Sequence, residues 1–100
     1  MSFIEVYTPP DFEWDDAKSQ RNALTRALPF DLAIELFEGP IVVQTDNRRD
    51  YGETRTRTIG TVNGLVLVCV YTDRGSVRRI ISLRDANRRE RDAYRDKVRC

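Results

Sequence analysis

The chain contains no histidine. That absence removes the commonest general base, the commonest metal ligand and every Ser-His or Cys-His nucleophile pair. Only two cysteines occur, Cys69 and Cys100, too far apart in sequence to form a metal knuckle or a disulfide framework. No apolar run approaches the roughly 20 residues of a membrane helix, and no basic-then-apolar leader opens the chain. Internal repeats and low-complexity tracts are also missing. These absences point to a small soluble domain that uses no metal or cofactor and resides in a reducing, cytoplasmic compartment. One hundred residues match the length of one domain, spanning 1–100, and 40% hydrophobic residues allow only a modest core.

What is abundant is arginine. Fifteen of the seventeen basic residues are arginine, whose planar fork matches phosphate oxygens in pairs where lysine offers a point charge. The net charge of +1 hides an asymmetry: residues 1–50 carry ten acids against five bases, and residues 51–100 carry six acids against twelve bases. The halves stand at −5 and +6, so the second half suits a phosphate-bearing or acidic partner.

Ser2 to Tyr7 reads as a short strand ended by Pro9-Pro10. Asp15-Asp16 supplies an N-cap and first-turn negative charge for a helix whose narrow apolar stripe is Ala17, Leu24 and Leu28. Leu28-Pro29 breaks that helix, and a second begins there with Phe30, Ala33, Ile34 and Phe37 on its apolar face. Gly39-Pro40 stops it. From Ile41 the period becomes extended. Two runs, Thr54 to Val62 and Leu65 to Thr72, flank Asn63-Gly64, a pair suited to the positive φ angles of a type I′ hairpin. Leu65 to Tyr71 is apolar on both faces, as a central strand requires. Asp73 to Ser76 turns the chain into a strand over Val77 to Ser82. Ser82-Leu83-Arg84-Asp85 resembles a capping box opening a basic helix towards Val98, expected to act as a lid rather than a core element. Helices segregated from an antiparallel three- to four-stranded meander make an α+β fold. Cys69 and Trp14 read as core residues. Tyr51, Tyr71 and Tyr94 have rings able to stack on a base or to pack internally.

The hairpin fixes register. Asn63-Gly64 pairs Val62 with Leu65, Ile59 with Val68 and Arg57 with Val70. A four-residue second loop would pair Thr72 with Val77, Val70 with Arg79 and Val68 with Ile81. Alternation then places Arg57, Val70 and Arg79 on one face with Arg55 one step along. A one-residue change in that loop would exchange Arg79 for Arg78. Like charges converging on a sheet are a geometry for holding a phosphate. Arg84 falls at the strand-to-helix junction, where backbone N–H groups also favour anions.

Three stretches together resemble the BrnT-type ribonuclease toxins of bacterial type II toxin–antitoxin systems. They are Phe12-Glu13-Trp14-Asp15 with Ala17-Lys18 and Asn22; Gly52-Glu53-Thr54-Arg55 leading to Ile59-Gly60; and Arg79-Ile80-Ile81-Ser82-Leu83-Arg84 with Ala86, Arg88, Arg89, Glu90 and Tyr94. The resemblance spans roughly residues 12–96 and implies a RelE-like fold whose sheet carries an RNA-cleaving surface. It implies a translation-halting endoribonuclease held inactive in a hetero-oligomer by a DNA-binding antitoxin. The chain departs from the family pattern at Thr25-Arg26-Ala27, where Lys-His-Gly is usual, and at Thr56 and Thr61, which replace a common tryptophan and arginine.

Metal-independent cleavage turns the 2′-hydroxyl against the adjacent phosphate and needs a proton acceptor and stabilisation of the phosphorane. The expected catalytic set is Arg79 and Arg55 on the phosphate, Arg84 completing the clamp and Glu53 as proton acceptor. Arg57, Arg88, Lys18 and Tyr94 are the expected further RNA contacts. A second reading is a non-catalytic RNA- or partner-binding module of the same fold.

Overall fold

A computed structural model describes residues 2–4, 11–46 and 52–99, of which 2–4 are described as backbone alone. In chain order the elements are β1 (Ser2–Ile4), β2 (Asp11–Trp14), α1 (Asp16–Arg26), α2 (Leu32–Leu36), β3 (Ile41–Asp46), β4 (Arg55–Val62), β5 (Leu65–Arg74), β6 (Val77–Asp85) and α3 (Arg88–Arg99). The fold is α+β, as expected, but the sheet is larger than a three- to four-stranded meander. Six strands among the described residues form one sheet in the order β1-β3-β4-β5-β6-β2. The meander β3 to β6 is antiparallel, and β2 joins its edge in parallel to β6. Of the expected first strand, Ser2–Ile4 forms β1, and residues 5–7 lie outside the described residues. Phe12-Glu13-Trp14, an apolar–polar–apolar alternation, forms an additional strand, β2. Tyr51 and Cys100 lie outside the described residues.

Asn63 and Gly64 both have positive φ, 51° and 82°, so the type I′ pair closes β4 on β5 with Val62 opposite Leu65 and Arg57 opposite Val70. The second turn is tighter than expected. Arg74 pairs with Val77 across Gly75-Ser76, and Thr72, not Val70, faces Arg79. A two-residue change preserves side-chain parity, so Arg79 keeps its expected face while Arg78 takes the opposite one. Past Tyr71–Ile80 the register slips: Val70 pairs with Ser82 and Val68 with Arg84. Ile81 is the additional residue of a β-bulge, which inverts the alternation of the rest of β6. Without it Arg84 would point towards the helices α1 and α2.

Each sheet face has its own core. On one side Leu36 and Phe37 of the α2 region pack with Leu67, Cys69, Tyr71, Ile80 and Leu83. Phe37 meets the Tyr71 ring edge-on at 5.2 Å, and Trp14 packs against this cluster as expected. Burying side chains of this size contributes about 1.5–3 kcal/mol each. Gly60 admits this packing, since a Cβ there would stand 2.9 Å from Leu36 Cγ. Burial pushes the Cys69 thiol up to about 12, so it behaves as a core hydrophobe. On the other side Ala86, Tyr94 and Val98 close over Val42, Ile59, Val66 and Val68. Helix α3 is therefore a core element, and the expectation of a lid is corrected. Its start also moves: β6 continues through Asp85, and the capping box is Asn87 with Glu90, each bonding the other's backbone N–H at 2.8–2.9 Å.

Helix α1 begins as expected, the Asp15 carboxylate accepting from Lys18 N–H at 3.1 Å. It ends at Arg26 with Ala27 in the left-handed region, before Leu28-Pro29. Leu24 is not a stripe residue; it is 87% exposed. The helix is tied down by polar bolts instead. Asn22 Nδ2 donates to Leu28 O at 2.7 Å and Leu83 O at 2.8 Å, and Ser19 Oγ accepts from Phe30 N–H.

Candidate active site on the basic sheet face

The α3-bearing face can be followed in rows across the strands. One row runs Asp46 (β3), Arg55 (β4), Thr72 (β5), Arg79 (β6) and Glu13 (β2), with Arg55 facing Thr72 by one-step extension of the β4–β5 register. The next is Gln44, Arg57, Val70 and Ser82, and the third is Val42, Ile59, Val68 and Arg84. Strands stand about 4.8 Å apart and same-face neighbours along a strand about 6.6 Å, which sets the backbones of Arg57, Arg79 and Arg84 about 10–13 Å from one another. Arginine side chains span that gap. The apolar third row is covered by α3, and the first two rows form the basic surface.

Acidic or amide oxygens hold the guanidinium groups in place. Arg79 Nη1 donates to Glu13 Oε2 at 3.0 Å. Arg84 grips both Glu90 oxygens, at 2.8 and 2.9 Å, and Arg57 Nη2 donates to Gln44 Oε1 at 2.7 Å. The Arg84 bonds, aided by the Asn87 N–H, hold the Glu90 carboxyl down at about 2, with the Arg57 charge adding to the effect. Thus one glutamate caps α3, orients Arg84 and anchors the helix over the clamp.

The expected residues separate into two groups. Arg55, Arg57, Arg79 and Arg84 share one face. Glu53 is at its edge, where Arg74 donates to both its oxygens at 3.2–3.3 Å and holds its carboxyl below the usual range, with a further contribution from Arg55. Arg88 is exposed in the first turn of α3. Lys18 is exposed on α1, beside the β6 edge rather than on the clamp face. Tyr94 corrects its expectation as an RNA contact: the residue is only 3% exposed in the second core, and its hydroxyl bonds Pro40 O at 2.8 Å and Thr61 Oγ1 at 3.1 Å. Arg78 lies on the opposite face, bidentate to Asp73 at 2.8 and 2.9 Å and stacked 4.1 Å from the Tyr71 ring centre.

Sequence reasoning missed Glu13 and Glu90 as partners of the clamp. The alternation of Phe12, Glu13 and Trp14, and the Asn-x-x-Glu spacing of residues 87–90, were the available signals. Among the described residues no three His, Cys, Asp or Glu side chains cluster as a metal site, and no helix is long and apolar enough to cross a membrane.

The model of the family described as ribonuclease toxin, BrnT, of type II toxin–antitoxin system matches residues 14–90. The chain belongs to this family. No curated protein matches it. The BrnT match takes in all four face-sharing arginines and ends on Glu90, the residue that orients Arg84. Glu13, the partner of Arg79, stands immediately before the BrnT match begins.

Proposed function

We propose that this toxin is a metal-independent endoribonuclease of the cytoplasm, folded as one domain over residues 1–100, that cuts RNA and so inhibits translation. The observation supporting this is the convergence of Arg55, Arg57, Arg79 and Arg84 from β4 and β6 on one sheet face. A scissile phosphate is held by Arg79 and Arg84, with Arg55 completing the charge and Arg57 and Arg88 receiving flanking phosphates. The 2′-oxygen attacks phosphorus as its proton passes to a carboxylate. The P–O5′ bond then breaks, the 5′-oxygen takes a proton from water, and a 2′,3′-cyclic phosphate remains. Preorganised guanidinium groups stabilise the charge that builds on the phosphorane oxygens.

Of the carboxylates that border the clamp, Glu53 and Glu13 are the two candidates for proton acceptance. Glu53 is engaged by Arg74, which makes it a weak acceptor. Glu13 touches Arg79, so a phosphate that draws Arg79 away leaves Glu13 beside the reacting group. We assign proton acceptance to Glu13, with Glu53 ordering Arg74 and the Arg55 end of the face. The cognate antitoxin, a DNA-binding protein in this reading, covers the same basic surface in a hetero-oligomer and blocks RNA entry.

The test is incubation of purified protein with total RNA, with and without EDTA, beside Arg79→Ala, Arg84→Ala, Glu13→Gln and Glu53→Gln variants. EDTA-resistant cutting lost in both arginine variants, and reduced more by Glu13→Gln than by Glu53→Gln, is expected. Cutting that survives Arg79→Ala at the wild-type rate overturns the assignment.

A further inference from the structure

Strand β2 leaves the sheet at Trp14, which pairs with Ile80, so β6 continues from Ile81 without a strand neighbour on that side among the described residues. Helix α1 lies along this edge, fixed by the bond from Asn22 to Leu83 O. An open cleft of about 470 Å³ remains between them, lined by Lys18, Arg21, Asn22, Thr25, Phe30, Ile81 and Ser82. Its composition differs from the clamp. The clamp arginines 57, 79 and 84 each engage an acidic or amide oxygen, whereas the exposed side chains of Lys18 and Arg21 have no acidic partner among the described residues. Ile81, half-buried, supplies the accessible apolar side chain beside those two cations, and Phe30, 2% exposed in the core, closes the floor of the cleft. Asn22 spends both amide hydrogens on Leu28 and Leu83, which leaves its carbonyl oxygen as an acceptor. Ser82 belongs to both regions: it lines the cleft, and its register places it in the row between Arg79 and Arg84.

We infer that this cleft is a second nucleotide subsite, in which Lys18 and Arg21 hold the phosphate next in line to the scissile one and the half-buried Ile81 side chain lies against its nucleoside. The inference rests on the ribonuclease reading for its substrate and adds the path of the strand, which crosses the β6 edge at Ser82. The Ile81 bulge then has two effects, turning Arg84 into the clamp and opening the edge that the RNA crosses. Single-stranded RNA is recognised in this combined way, by cations on its backbone and apolar surfaces against its bases.

The experiment titrates a fluorescent 2′-O-methyl RNA octamer, which cannot be cut through its 2′-oxygen, onto wild-type toxin and a Lys18→Gln/Arg21→Gln variant at several salt concentrations. Both positions are exposed on α1, and thermal melting checks that the variant is folded. Loss of the grip on one phosphate is expected to reduce the slope of log affinity against log salt by about 0.7. With cleavable RNA, the variant is expected to lose more kcat/KM on an octamer than on a dinucleoside monophosphate, which has no second phosphate. An unchanged slope overturns the subsite, and so does an equal loss on both substrates. If the substitutions instead release the antitoxin and leave the slope unmoved, the cleft belongs to that protein and the subsite is overturned. A wild-type toxin that cuts no RNA, with a slope that still depends on Lys18 and Arg21, refutes the ribonuclease reading and upholds the subsite.

Discussion

Arg78 and Arg79 are adjacent and chemically identical, yet alternation sends them to opposite faces with opposite duties. Arg78 is 5% exposed, held by two bonds to Asp73 and stacked on Tyr71, so its fork geometry is structural. Lysine cannot reproduce a bidentate, ring-stacked contact. Arg78→Lys is therefore expected to cost about 1.5–3 kcal/mol in urea unfolding while leaving cleavage per folded molecule intact. Arg79→Lys is expected to leave the unfolding midpoint nearly in place and lower kcat by about 10²–10³. Glu90 supplies the residue-scale pH dependence. Its folded pKa of about 2 lies below the ordinary value of 4.5, so its contribution to stability is complete above pH 4.5 and fades as pH falls towards 2. Glu90→Gln should flatten the urea midpoint against pH over that window; a parallel curve would show that Glu90 is not the group responsible.

At the scale of elements, the decisive feature is how closely α2 approaches β4. Gly60 is the only residue type that fits beneath Leu36 without displacement, because an added Cβ meets Leu36 Cγ at 2.9 Å. Gly60→Ala is expected to destabilise by about 1–3 kcal/mol in chemical denaturation. Combined with Leu36→Ala, which vacates that space, the two costs should total less than their sum. The bulge is the other element-scale device. It lets one strand deliver Leu83 to the helical core and Arg84 to the clamp, a combination that uninterrupted alternation from Ile80 cannot produce.

Across the whole molecule, topology rearranges the charge asymmetry of the sequence. Strands β4, β5 and β6, from the basic half, occupy the sheet centre, while β1 and β3 on one flank and β2 on the other come from the acidic half. Asp46 and Glu13 consequently end the arginine row on its two sides. A basic centre bordered by acids guides a phosphate chain inward and disfavours non-specific spreading at the margins. Growth arrest on expression, relieved by co-expression of the antitoxin gene, is the expected cellular outcome; a protein that only binds RNA should not arrest growth in this way.

The sequence alone determined the β4–β5 hairpin and which side chains are at hand for chemistry. Asn63-Gly64 dictates a hairpin because few other pairs tolerate two successive positive φ angles, and the absence of histidine leaves arginine and carboxylate as the available tools. Parity, which follows from the two-residue repeat of a strand, placed Arg55, Arg57 and Arg79 together even though the second turn was two residues tighter than expected. Tertiary structure decided the rest. Glu13 reaches Arg79 only through a parallel pairing between strands more than sixty residues apart. The Ile81 bulge depends on how β6 satisfies two cores at once, and the burial of Tyr94 depends on α3 docking onto a face that its charged sequence disguises. Long-range pairing and packing are set by the competition of all surfaces for burial, and no local window of residues contains that information.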